Sequence, residues 1–152
     1  MTSHAAGPDR TRPVPRPGAL WAGGAAAGVV AALVSAVAAL VCQVLLDADL
    51  VPAGDRGFVV GGDPVSYPVL AFLFALAATG LLHLLLVAVP QPLRFFGWIM
   101  ATVLVAVVVA PFAYDVSTGD QVATAVVGGS AVIATWALLL GTARRATAVQ
   151  RP

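Results

Sequence analysis

The sequence predicts an all-α fold, an integral membrane four-helix bundle with both termini in the cytoplasm. Three observations predict it. Of the 152 residues, 60% are hydrophobic and only 10% charged, with a mean hydropathy of +0.95. An ordinary soluble domain is about 45–50% apolar and about 25% charged. Four stretches carry no charge over the roughly 20 residues that a membrane-spanning helix needs. Arginines flank these stretches on one side and aspartates on the other. A chain this short buries the smallest fraction of its surface and has nowhere to hide so many apolar side chains. Soluble, disordered and nucleic-acid-binding classes are thereby excluded.

The elements follow in order. Residues 1–17 hold four of the eleven prolines and no apolar period, and read as a disordered cytoplasmic tail. The membrane domain is expected over 18–145. Its first helix covers about 19–46, uncharged between Arg16 and Asp47. That run far exceeds the 7–15 residues of a signal-peptide core, so the helix is expected to be retained. The second covers about 67–89 and is closed by Pro90 and Pro92. The third covers about 94–115, with Pro111 tightening or kinking its last turn. The fourth covers about 120–143, and 146–152 form a second cytoplasmic tail. The long connection between the first two helices, with Phe58-Val59-Val60 and Pro64-Val65 around Gly61-Gly62-Asp63, suits a short hairpin or a surface turn.

Orientation follows from charge. Arg10, Arg12, Arg16, Arg94, Arg144, Arg145 and Arg151 share one face, whereas Asp47, Asp49, Asp55, Asp63, Asp115 and Asp120 share the other with Arg56 alone among them. The positive-inside rule puts the arginine face in the cytoplasm. Trp21, Trp98 and Trp136 fall near that face and Tyr67 and Tyr114 near the opposite one, as interfacial aromatics do. The chain lacks Lys, Glu and Asn and is rich in Ala, Val, Gly and Leu, which points to a GC-rich bacterial genome. The expected location is the bacterial inner (plasma) membrane.

Helices in lipid gain nothing from hydrophobic contact with one another and associate through close backbone approach. Gly24, Gly28, Ala32 and Ala36 provide a four-residue row on the first helix; Gly128 and Gly129 provide small positions on the fourth. These serve packing within the bundle or, alternatively, a dimer surface. The third helix aligns Thr102, Ala106 and Ala110.

His83 is the one ionisable residue well inside a span, aligned with Thr79, Ala75 and Ala71. Intramembrane ionisable groups are costly and mark candidate sites. As a functional residue it would relay protons or bind substrate. As a structural one it is a neutral imidazole near the cytoplasmic interface, bonded to a Thr hydroxyl or a backbone carbonyl. No second titratable group lies at its depth to complete a relay or metal site. The aspartates match no calcium-loop spacing; Asp115, at the external end of the third helix, is the most notable of them. Cys42 is the single cysteine, which leaves no intrachain disulfide, Cys-based zinc site or C-x-x-C chemistry. Nucleophile-elbow, P-loop and HExxH motifs are missing. An enzyme is not expected, and no cofactor is implied.

Three segments carry a family resemblance: the Arg/Pro-rich tail running into Leu20-Trp21-Ala22-Gly23-Gly24-Ala25-Ala26-Ala27-Gly28, then Val60-Gly61-Gly62-Asp63-Pro64-Val65, then Pro111-Phe112-Ala113-Tyr114-Asp115. With them the chain resembles the small actinobacterial four-transmembrane-helix proteins catalogued only as a domain of unknown function. The resemblance implies the four-helix architecture and brings no established activity. Where members often carry a His in the last helix, this chain has Gly128-Gly129-Ser130, so no role of that His transfers. The expected function is a non-enzymatic accessory or interaction component acting through helix packing. Its partners would be the lipid bilayer and a membrane protein or further copies of itself. A small homodimeric transporter with His83 in its pathway is the alternative.

Overall fold

Backbone groups in hydrocarbon have no water to bond, so an apolar chain that enters a membrane satisfies them within helices. The structure, a computed structural model, describes residues 17–47, 50 and 65–148. Among these there are four α-helices and no strand: α1 (Pro17–Leu46), α2 (Ser66–Ala88), α3 (Pro92–Val109) and α4 (Thr118–Ala148). All four are long and apolar enough to cross a membrane. The expected hairpin at 58–65, the tail ahead of Pro17 and the last four residues lie outside the described residues, Val65 apart.

Local chemistry sets the helix ends. Asp47 follows α1 with φ of 48°, the left-handed conformation that stops a helix; a short polar residue tolerates it better than a bulky one. α2 ends at Ala88, with the amide of Val89 still donating to the Leu85 carbonyl at 3.0 Å. Pro92 then opens α3, where its missing N–H is no loss. The third helix was expected to reach 115, but its α-helical part ends at Val109. Pro111 has no amide to continue the ladder, and Ala110–Ala113 tighten into a 3-10 turn. α4 starts ahead of the expected 120, because Ser117 caps it. The Ser117 hydroxyl donates to the Asp120 carboxylate at 2.7 Å and accepts the Asp120 amide at 3.2 Å, a capping-box arrangement. Gln121 ties the preceding bend down by donating to the carbonyls of Tyr114 and Val116. At its other end α4 continues through Ala148, past the expected 143 and into the expected tail.

α1 packs along both α2 and α4, while α3 touches α2 and α4 but not α1. The core is graded along the bundle. Near the Arg94 end it holds large side chains, among them Leu82, Phe96, Met100 and Leu139. In the middle Ala31, Ala71, Ala75 and Ala131 meet with nothing bulkier between them. Toward the Asp47 end Ala39, Cys42, Ala123 and Val127 close it. Outside, Leu33, Leu40, Leu45, Leu73, Leu84 and Val87 are more than half exposed. Apolar patches of that extent mark a surface that meets membrane or another protein. Together with the four spans, they identify a multi-pass membrane protein.

Candidate functional site

Four polar side chains are buried among the described residues, Ser35 and Ser66 toward the Asp47 end and Thr79 and Thr135 toward Arg94. Thr79 on α2 is fully buried, and its hydroxyl donates to the Ala75 carbonyl at 2.7 Å, the back-bonding typical of Thr in a helix. His83 lies one turn further and is half-buried. The expected hydrogen bond between the two is not formed: Thr79 donates to its own helix, and among the described residues no hydrogen bond reaches the imidazole. His83 also leaves the row in which the sequence places it, since Ala71, Ala75 and Thr79 are buried and His83 is not.

Two polar atoms that the sequence does not flag are buried nearby on α4. Thr135 is fully buried and its Oγ1 has no hydrogen-bond partner; Trp136 Nε1 is likewise buried and unpaired. Both belong to a helix whose apolar neighbours give no sign of a polar site. Trp136 was expected at the membrane interface. Instead it packs against the core, its Cζ2 4.0 Å from where a β-carbon of Gly97 would stand. Trp21 and Trp98 are the exposed indoles of that end.

The small residues meet partners within the chain. A β-carbon at Gly24 would collide with Thr79, standing 2.8 Å from its Cβ, and one at Gly28 would stand 2.9 Å from Phe72 Cδ2. Both glycines of that row therefore face α2. Ala32 is half-buried. Gly23 faces α4, with Thr142 Cγ2 at 3.2 Å from its hypothetical β-carbon. On α4, Gly128 faces Val107 at 2.7 Å and Gly129 faces Val108 at 3.4 Å by the same measure, both on α3. The other row behaves differently: Thr102, Ala106 and Ala110 on the α3 side are all exposed.

Asp115 is exposed in the bend after the 3-10 turn, and Asp47 is exposed at the end of α1. Asp49, Asp55 and Asp63 lie outside the described residues. Among the described residues no three His, Cys, Asp or Glu side chains gather as metal ligands would. Cys42 is buried, its Sγ 4.0 Å from the Ala123 carbonyl, a weak contact between α1 and α4. On the outer surface a shallow open groove runs along α3, lined by Leu93, Arg94, Gly97, Trp98 and Ala101.

Comparison with curated proteins and with solved structures finds no match. A family model, that of a family of unknown function (DUF6069), matches residues 15–148. That span takes in all four helices, including the glycine contacts of α1 and α4 and the α3 groove. The chain belongs to the DUF6069 family of unknown function.

Proposed function

We propose that the chain is a non-enzymatic component of a bacterial plasma membrane, with both termini in the cytoplasm, that serves as an accessory or interaction subunit through helix contacts. One observation carries this reading. Gly23, Gly24 and Gly28 of α1 and Gly128 and Gly129 of α4 are met by neighbours inside the chain, whereas Thr102 and Ala106 of α3 and Ala110 of the 3-10 turn after it are exposed. Small residues at four-residue spacing are what a second helix approaches closely. The Thr102 hydroxyl donates to the Trp98 carbonyl at 3.0 Å, so the face asks no polar group of its partner. Purification from native membranes should recover a stoichiometric partner or a defined homo-oligomer, lost with Ala106→Phe. A strictly monomeric protein with no partner overturns the reading.

The distribution of arginines supports the orientation. It is tested in a Cys42→Ser background: Arg145→Cys should resist an impermeant reagent added outside the cell, and labelling there reverses the topology. The transporter alternative draws on His83 together with the unpaired Thr135 and Trp136 polar atoms in the same half of the bundle. Proteoliposome flux unchanged by His83→Ala removes it.

A further inference from the structure

We propose that the α3 groove formed by Leu93, Arg94, Gly97, Trp98 and Ala101 binds one anionic phospholipid, its phosphate on Arg94 and an acyl chain along Gly97 and Ala101. The site depends on the membrane placement of the chain and not on the accessory role.

Charge is the first argument. Arg94 is exposed in the first turns of α3. The carboxylates among the described residues, Asp47, Asp115 and Asp120, all stand at the opposite end of the bundle. Among the described residues no acid stands beside Arg94 to neutralise it. A guanidinium at the edge of hydrocarbon recruits an anion, and its planar fork suits phosphate oxygens. At the depth where an α-helix enters the bilayer, that anion is a lipid headgroup.

The order of side chains along the groove is the second. From the membrane edge inward the lining passes from Arg94 to Gly97 and Trp98 and then to Ala101. Charge comes first, an indole at headgroup level next, and then a floor without bulk. A phospholipid presents the same sequence of chemistry: phosphate, glycerol, alkyl chain. An acidic protein segment offers the charge but not the alkyl chain that the Gly97–Ala101 floor would hold.

Gly97 provides the third argument. A β-carbon there would meet nothing nearer than Trp136 Cζ2 at 4.0 Å, ordinary van der Waals contact. The fold does not require a glycine at this position, as it does at Gly24. Its value is the depth of the groove. A β-carbon is accommodated there, so a side chain can be introduced to fill the groove, with helicity as the control. The groove is centred about 150° around α3 from the Thr102–Ala106–Ala110 face and borders it at Trp98 and Thr102.

The test uses the full chain in vesicles of phosphatidylcholine into which acyl-brominated phosphatidylglycerol or acyl-brominated phosphatidylcholine is titrated. Quenching of Trp98 is read as the difference between the chain and its Trp98→Phe variant. Phosphatidylglycerol should reach half-quenching at about a fivefold lower mole fraction, the scale for one basic residue at an anionic surface. Arg94→Gln should remove that preference, and Arg94→Lys should keep most of it. Gly97→Leu should weaken quenching by both lipids while helicity by circular dichroism stays unchanged. Equal quenching by the two lipids overturns the proposal, as does a preference that survives Arg94→Gln. Loss of a co-purifying protein on Arg94→Gln without any lipid preference also overturns it, in favour of an acidic protein partner.

Discussion

Thr79 occupies the space that a side chain at Gly24 would need, its Cβ lying 2.8 Å from the position of the missing β-carbon. The two residues meet where α1 packs against α2. Gly24→Ala should therefore destabilise the bundle by about 1–3 kcal/mol, the scale of overpacking. The gain of about 1 kcal/mol from replacing a helical glycine offsets it only in part. Thr79→Ala should rescue it incompletely, because alanine keeps the offending Cβ. Reversible unfolding in mixed micelles measures both variants. Equal stability of Gly24→Ala and the parent would show that α1 and α2 are further apart.

Thr135 gives a prediction of opposite sign. Its hydroxyl is buried with no partner, and an unsatisfied buried hydroxyl costs about 1–3 kcal/mol. Thr135→Val keeps the shape and deletes the orphan group. The variant should be at least as stable as the parent and up to about 1 kcal/mol more so, measured by the same unfolding assay. A clear loss of stability would mean that the hydroxyl bonds an internal water.

The Ser117 cap is the third test. Ser117→Ala removes both the bond to the Asp120 carboxylate and the acceptor for the Asp120 amide. Losses of this kind cost about 1 kcal/mol. The local signature is faster hydrogen exchange of the first-turn amides of α4, with the middle of the helix unchanged. Ser117→Asp should retain protection, since aspartate caps as well as serine does.

His83 separates a structural from a functional role. If it is structural, His83→Gln should preserve fold and oligomeric state, and His83→Leu should cost about 1–2 kcal/mol, the scale of an interhelical polar contact in a membrane. Both variants abolishing a cellular phenotype at parental stability would mark the imidazole as functional.

The four spans were legible because length and hydropathy decide them; so was the tightening at Pro111. The rotation of each helix was less legible. Rows at four-residue spacing turn by about 40° per step, since each residue advances about 100°. Ala71, Ala75 and Thr79 are buried, but by His83 the row has moved off the α1–α4 contact, and the buried line instead passes through Ala78, Leu82 and Leu85. The α1 row drifts in the same way. Gly24 and Gly28 are buried, Ala32 and Ala36 only half so, and burial shifts to Ala31, Ser35 and Ala39. The start of α4 was misplaced because Asp120 was read as the charge that ends a span, whereas it is the third residue of a cap. Thr135 and Trp136 were illegible as a pair. Nothing in an apolar window records which polar atom will find no partner.

Tyr67, in the first turn of α2, is hydrogen-bonded to Thr124 and packs against the Ala39–Cys42 cluster. α4 rises above that level to Thr118, adding roughly 9 Å at 1.5 Å per residue. α1 rises with it to Leu46, keeping Val44 and Leu45 more than 70% exposed. Hydrocarbon that covers these side chains has to climb, beside α1, above the level at which α2 begins. Each ångström of such mismatch carries a small energetic penalty. In a bilayer such unequal helix ends would impose a step in thickness around the protein, and neighbouring copies that met with steps aligned would share one deformation where unaligned copies would need two.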